Sequence, residues 1–191
     1  MSADAHREHL DHLRELNRLF LDLLQLRVRT EGDCLGFPEG ACAALLSADG
    51  RLLDAVAAFP HALFRVEFEW PLVDHQDVSA GGQSDARQRE LALSILLAAR
   101  QTSRQSPYQA RFSLGLEVAQ IQVLRSMSLL DVQRLACVPG VLTCAFAETE
   151  RLWCSLLTDT RPESRRQLTL LALQPRLARD WPRRRPARPV A

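Results

Sequence analysis

Leucine and phenylalanine return every three or four residues along positions 5–29, at Leu10, Leu13, Leu16, Phe20, Leu23 and Leu24, with His, Arg, Glu and Asp between them. That spacing predicts a long amphipathic helix. Its apolar stripe continues through Leu19, Leu21 and Leu26, so the helix needs cover from at least two directions. Thr30-Glu31-Gly32-Asp33 breaks the pattern. After Leu35-Gly36, Pro38 occupies a place tolerated in a first helical turn, which predicts a short helix over 38–46. Ser47-Ala48-Asp49-Gly50 interrupts it, and Leu52, Leu53, Val56 and Ala57 outline a second helix that Pro60 stops. The period then changes from helical to two. Over Leu63–Trp70, Phe64, Val66, Phe68 and Trp70 alternate with charged residues, as in a half-buried strand, and Pro71 ends it.

Residues 74–86 are polar and include Gly81-Gly82, the clearest linker in the chain. Beyond it the first pattern is replayed. A helix is predicted over 86–103, with Leu91, Ile95, Ala98 and Thr102 in line, and a polar loop leads to Ala110. A short helix follows over 115–125, then a second over 129–136 with Ser128 as its N-cap, and a strand over Val141–Phe146. Two closing helices are predicted at 148–158 and 164–173, built on Leu152, Leu156 and Leu157, then Leu168, Leu170 and Leu171. Past Pro175, four prolines counting that one and six arginines cannot support a core, so the end is predicted to be disordered.

The replay is visible in the letters. Residues 35–63 align without a gap on residues 114–142, with seven identities in 29 pairs: Leu35/Leu114, Gly36/Gly115, Leu45/Leu124, Ser47/Ser126, Ala57/Ala136, Pro60/Pro139 and Leu63/Leu142. Roughly two or three would follow from composition, so the chain is read as one folding unit present twice. The stretch between long helix and Leu-Gly pair is about six residues shorter in the first copy.

Composition adds limits. At 191 residues and 47% hydrophobic content the chain can build a packed core as one domain or two small ones. It has no run of ~20 apolar residues and no basic-then-apolar leader, so a cytoplasmic protein without a membrane span is expected. Five cysteines, Cys34, Cys42, Cys137, Cys144 and Cys154, contain no C-x-x-C pair and are expected as reduced thiols. All 24 basic residues are arginine. Residues 171–191 carry six of them against Asp180, leaving a mildly acidic body and a basic tail.

Candidate chemistry is sparse. His6, His9 and His12 drift around a helix and read as solvated turns rather than a metal site, and His61 and His75 stand alone. With no phosphate loop, metal-ligand motif or nucleophile elbow, no catalytic residue, metal or cofactor is assigned, and the chain is read as a non-enzyme without a small-molecule substrate. The helix, turn and helix at 115–136 has the size of a helix-turn-helix, with Arg125, Gln133 and Arg134 as candidate DNA contacts, although plain helical hairpins look the same. In the tail, Arg183, Arg184, Arg185 and Arg188 either neutralise phosphates or serve solubility.

Taken in order, each copy resembles the FlhD family of flagellar transcriptional regulators. In the second copy the resemblance is carried by Leu96-Leu97-Ala98-Ala99-Arg100, Ala110–Gly115, Ser126–Leu130, Val132–Ala136 and Val141–Phe146. In the first it is carried by Leu16–Leu26, Leu35-Gly36, the helix pair at 38–58 and the strand at 63–68. It spans about 160 of the 191 residues.

The resemblance implies a mainly α fold that forms intertwined homodimers and joins the zinc-containing partner FlhC at flagellar promoters. Applied to this chain, it implies two FlhD-like helical repeats, each with one short β-strand, packed as an intramolecular pseudo-dimer. The first repeat would be 1–73, the linker 74–86, the second repeat 87–175 and the tail 176–191. The expected repeat–repeat interface is Leu16, Phe20, Leu23, Phe64, Val66, Phe68, Leu142 and Phe146. The expected partners are an FlhC-like protein and, within a complex, promoter DNA. A protein–protein adaptor that sequesters or redirects a regulator without touching DNA is the alternative. Some family members carry a cysteine near the strand that links two subunits. Cys144 lies near that place, but the first copy has Phe64-Arg65 there, so no symmetric bridge is expected.

Overall fold

The computed structural model describes residues 3–30, 34–69, 83–159, 167–170 and 172. It begins with α1 (Ala3–Thr30), whose buried positions Leu13, Leu16, Phe20, Leu21, Leu23 and Leu24 follow the predicted stripe. Leu19 departs from it: it is exposed, because Leu16, Phe20 and Leu23 already fill the inward arc and position 19 lies on its outer side. The helix is covered from several sides, packing on α3 and α4 and more lightly on α2.

Two short helices follow, α2 (Glu39–Ser47) and α3 (Gly50–Ala57). Pro38 is the N-cap of α2 rather than part of its first turn, held in extended backbone where its missing N–H costs nothing. The Asp49 side chain accepts the Leu52 N–H at 2.7 Å and so starts α3. Strand β1 (Phe64–Val66) is only three residues long, against the eight-residue alternation in the sequence. Pairing stops where its partner strand stops, and Phe68 lies beyond the strand, half-buried. Trp70, His75 and linker positions 74–82 fall outside the described residues. Positions 83–86, expected as linker, are helical and open α4 (Gln83–Gln105).

The polar loop expected before Ala110 contains a further helix, α5 (Pro107–Phe112), with Ser106 as N-cap and proline at its first position. Its six residues are too short to show a helical period in sequence. Next come α6 (Val118–Ser126), which starts three residues later than predicted, and α7 (Leu129–Ala136), capped by Ser128 as expected. Strand β2 (Leu142–Cys144) and α8 (Glu150–Thr158) complete the labelled elements. Of the second closing helix, residues 167–170 and 172 are described and helical. Leu168 and Ala172, one turn apart, are buried, whereas Leu170 points outward. Leu171 and the tail arginines lie outside the described residues.

The strands pair antiparallel, with Phe64 opposite Cys144, Arg65 opposite Thr143 and Val66 opposite Leu142. Around this small sheet one continuous apolar cluster takes residues from each of the helices α1 to α8. α4 packs on α1, α5, α6 and α7, while α8 packs on α2 and α3. Helices α6 and α7 match α2 and α3 in length and begin at 118 and 129 against 39 and 50, a constant interval of 79 residues. Gly36 and Gly115, also 79 apart, both take positive φ, at 77° and 72°, before their short helices. That conformation is open to glycine at little steric cost.

Candidate interaction surface

The α6–α7 hairpin is built on an inward stripe of Ile121, Leu124, Met127, Val132, Leu135 and Ala136, all buried. Two arginines of α4 hold the turn from behind. Arg100 Nε donates to the Met127 carbonyl at 3.0 Å, and Arg104 donates to the Arg125 carbonyl through Nε and Nη2 at 3.2 and 2.9 Å. These carbonyls sit at the C-terminal end of α6, where a cation complements the helix dipole. At the start of α7 a capping box closes the turn: Ser128 N–H donates to Asp131 Oδ2 at 3.0 Å, and Asp131 N–H donates to Ser128 Oγ at 3.1 Å. The Ser128 hydrogen bonds hold the Asp131 carboxyl below its ordinary pKa, with Arg134 adding to the shift.

With its inner face spent on the core, the hairpin presents Arg125, Gln133 and Arg134 outward, all exposed as a contact surface requires. The sequence reading missed what lies beside them. Leu129 is 59% exposed and Leu130 55%, and Val118 is exposed at the start of α6. Spacing puts Leu129, three residues before Val132 and seven before Ala136, on the inward face, so the letters do not reveal this patch.

The α2–α3 hairpin presents a different outer face. Arg18 of α1 crosses it, donating to the Gly50 carbonyl at 3.0 Å and to Asp54 at 2.6 Å while also pairing with Asp22. Gln25 holds the turn from behind, donating to the Leu45 and Ala48 carbonyls at 2.7 and 3.2 Å. Residues 39–57 carry Glu39, Asp49 and Asp54 against Arg51, whereas residues 118–136 carry Arg125 and Arg134 against Asp131. The second hairpin is the more basic and the more apolar at its surface.

Of the expected interface residues, Leu16, Phe20, Leu23, Phe64, Val66 and Leu142 are buried, and Phe68 and Phe146 are half-buried. Phe20 meets Phe64 edge to face at 5.9 Å, Val66 is the register partner of Leu142, and Phe146 packs its ring against Phe59 at 6.4 Å. Backbone bonds reinforce the same seam. Ala62 N–H donates to the Ser113 carbonyl, Cys144 N–H to Leu35 and Ala145 N–H to Leu63. His61 adds to it by donating Nδ1–H to the Phe112 carbonyl at 3.0 Å.

On α1, burial and the neighbouring His6 and His12 lower the pKa of His9. Among the described residues no group of three His, Cys, Asp or Glu side chains is placed to hold a metal ion. No helix of the described residues is long and apolar enough to cross a membrane.

The family model described as flagellar transcriptional activator (FlhD) matches residues 81–177, just over half of the chain. The chain belongs to the FlhD family. The match takes in α4 through α8, and so includes the whole α6–α7 hairpin with its exposed leucines and arginines. FlhD is a family of transcriptional regulators. Residues 1–80 lie outside the match. No curated protein and no solved structure matches the chain.

Proposed function

We propose that this FlhD-family chain is two FlhD-like units in one polypeptide, folded on each other as an intramolecular pseudo-dimer. In this reading it is a non-catalytic, cytoplasmic regulator that acts with an FlhC-like partner at flagellar or related promoters. The observation that carries the regulatory role is the family match over α4–α8. The duplication is supported by the 79-residue interval that relates both short helices and both glycine turns. It is also supported by Gln25 and Arg100, which reach the same place, the turn between short helices, from their respective long helices. A covalent pair holds its halves at high effective concentration, so assembly needs no encounter between monomers.

The α6–α7 face is the proposed contact surface, with Leu129 and Leu130 as apolar anchors for protein and Arg125, Gln133 and Arg134 at the phosphate backbone. Its charge is small, and so the chain by itself binds DNA weakly. A mobility-shift experiment with a flagellar promoter fragment tests this. The chain alone gives little shift, and the chain with an FlhC-like partner gives a tight one. Arg125→Ala with Arg134→Ala weakens the tight complex by about tenfold, roughly 1.4 kcal/mol. Truncation after Pro175 measures any contribution from Arg183, Arg184, Arg185 and Arg188. The exposed leucine pair also favours the adaptor reading. That reading is adopted if Leu129→Ser with Leu130→Ser abolishes partner binding while the arginine variants leave promoter binding unchanged. Tight, sequence-specific binding by the chain alone overturns the proposed division of labour.

A further inference from the structure

Cys34 and Cys42 lie eight residues apart in sequence, and their Sγ atoms are 3.3 Å from each other. Cys34 precedes the Leu35-Gly36 turn, and Cys42 sits in α2. Both side chains are half-buried and both are thiols, so the sulfurs touch at a place solvent can reach. A disulfide needs sulfurs about 2.05 Å apart, so closing the bond requires the two sulfurs to draw nearer by side-chain rotation. No comparable pair exists in the second half of the chain, where the positions 79 residues on are Ser113 and Ile121.

The surroundings show what such a bond would hold. Leu35 and Gly36 take positive φ, at 50° and 77°, and Leu35 is a residue for which this backbone is costly. Its carbonyl accepts the Cys144 N–H at 2.8 Å, which ties the turn to β2. Phe37, next in the chain, meets Trp153 of α8 edge to face at 4.8 Å, and Trp153 Nε1 donates to the Ala145 carbonyl at 3.0 Å. The pair therefore sits where the turn, α2, α8 and the sheet come together.

We propose that Cys34 and Cys42 form a redox-active dithiol, closed to an intramolecular disulfide by exchange with a small oxidised thiol of the glutathione class. The Cys34 thiolate attacks one sulfur of the small disulfide, forming a mixed disulfide and releasing one small thiol. The Cys42 thiolate then attacks the Cys34 sulfur of that mixed disulfide and releases the second. Two protein thiols are oxidised, one small disulfide is reduced to two thiols, and the two protein protons leave with them. Burial, the hydrogen bond with Cys34, and Glu39 push the Cys42 thiol up to about 11. That assigns Cys42 the second step, in which the mixed disulfide already faces it and proximity offsets a small thiolate fraction.

The test uses the full chain incubated with oxidised glutathione, then alkylated and digested with trypsin. Residues 30–51 contain both cysteines and no internal arginine, so they leave as one peptide, while Cys137, Cys144 and Cys154 leave in others. The expected result is a 30–51 peptide that is two hydrogens lighter, carries no alkyl group or glutathione, and returns to two alkylated cysteines after reduction. In Cys42→Ser the same peptide instead retains one glutathione on Cys34. The proposal is overturned if the wild-type peptide keeps both thiols, if it stops at a glutathione adduct, or if the cross-link joins other cysteines.

Discussion

Asn17 carries an unusual share of the order in this molecule. It is a fully buried amide on the inner face of α1, and its Nδ2 donates to the carbonyls of Ala57, Phe59 and His61 at 3.2, 3.3 and 3.1 Å. Its Oδ1 accepts the Leu63 N–H at 2.9 Å. One side chain thus satisfies the irregular backbone between the end of α3 and β1, a segment with little of its own secondary structure to pair those groups. Asn17→Ala leaves a buried N–H and several carbonyls unpaired at once, each of which is costly away from water. The expected loss is about 3 kcal/mol in urea unfolding, within the range for a broken buried network. It should be accompanied by fast amide exchange at Leu63. Spacing places Asn17 on the apolar face, four residues from Leu13 and Leu21, but does not reveal its partners, which are backbone atoms some 40 positions away.

Among the elements, α7 depends most on local chemistry. Eight residues are too few to hold a helix by propensity alone, so its cap and its buried stripe must supply the rest. Ser128 and Asp131 satisfy two of the first orphan N–H and side-chain groups reciprocally, and the pattern Ser-x-x-Asp before an apolar run is readable from the letters. The Asp131 carboxyl has a depressed pKa when folded. Its contribution is therefore present above the carboxyl's unfolded pKa and is lost as pH falls through the lower folded value. Ser128→Ala removes the largest cause of the shift. The Asp131 titration followed by NMR should then move up toward the ordinary aspartate range, and the variant should lose about 1 kcal/mol of stability at neutral pH. An unmoved titration in Ser128→Ala would contradict the capping account. By contrast, α5 is a single turn and a half with no period to detect, and only Ser106-Pro107 signals its start.

At the scale of the whole molecule, both halves spend their apolar faces on one cluster. Phe20 and Phe64 from the first half, and Leu142, Trp153 and Leu156 from the second, belong to the same buried set. Each fully buried Leu or Phe contributes about 1.5–3 kcal/mol relative to an exposed one, so removing either half strips away many times the margin of a typical fold. A fragment of residues 83–175 is expected to self-associate rather than persist as a monomer. Its unfolding temperature should rise with protein concentration, while that of the full chain stays constant. Circular dichroism melts at two concentrations, with light scattering for mass, check this. A stable monomeric fragment would show that the second half does not need the first for cover.

Sequence alone determined the order and approximate limits of the long and short helices other than α5, the capping serine, the two strand positions and the resemblance to FlhD. These rest on local terms: apolar period, cap chemistry and turn residues act within a few positions of each other. Only the tertiary structure decided that the predicted eight-residue strand pairs over three residues, that Leu19 and Leu170 face outward, and that Leu129 and Leu130 are left uncovered beside Arg125 and Arg134. It alone brought Cys34 against Cys42 and Asn17 against the approach to β1. Each of these depends on which distant segment arrives at a surface, and a linear pattern records how many apolar residues an element has but not how many its neighbours have room to bury.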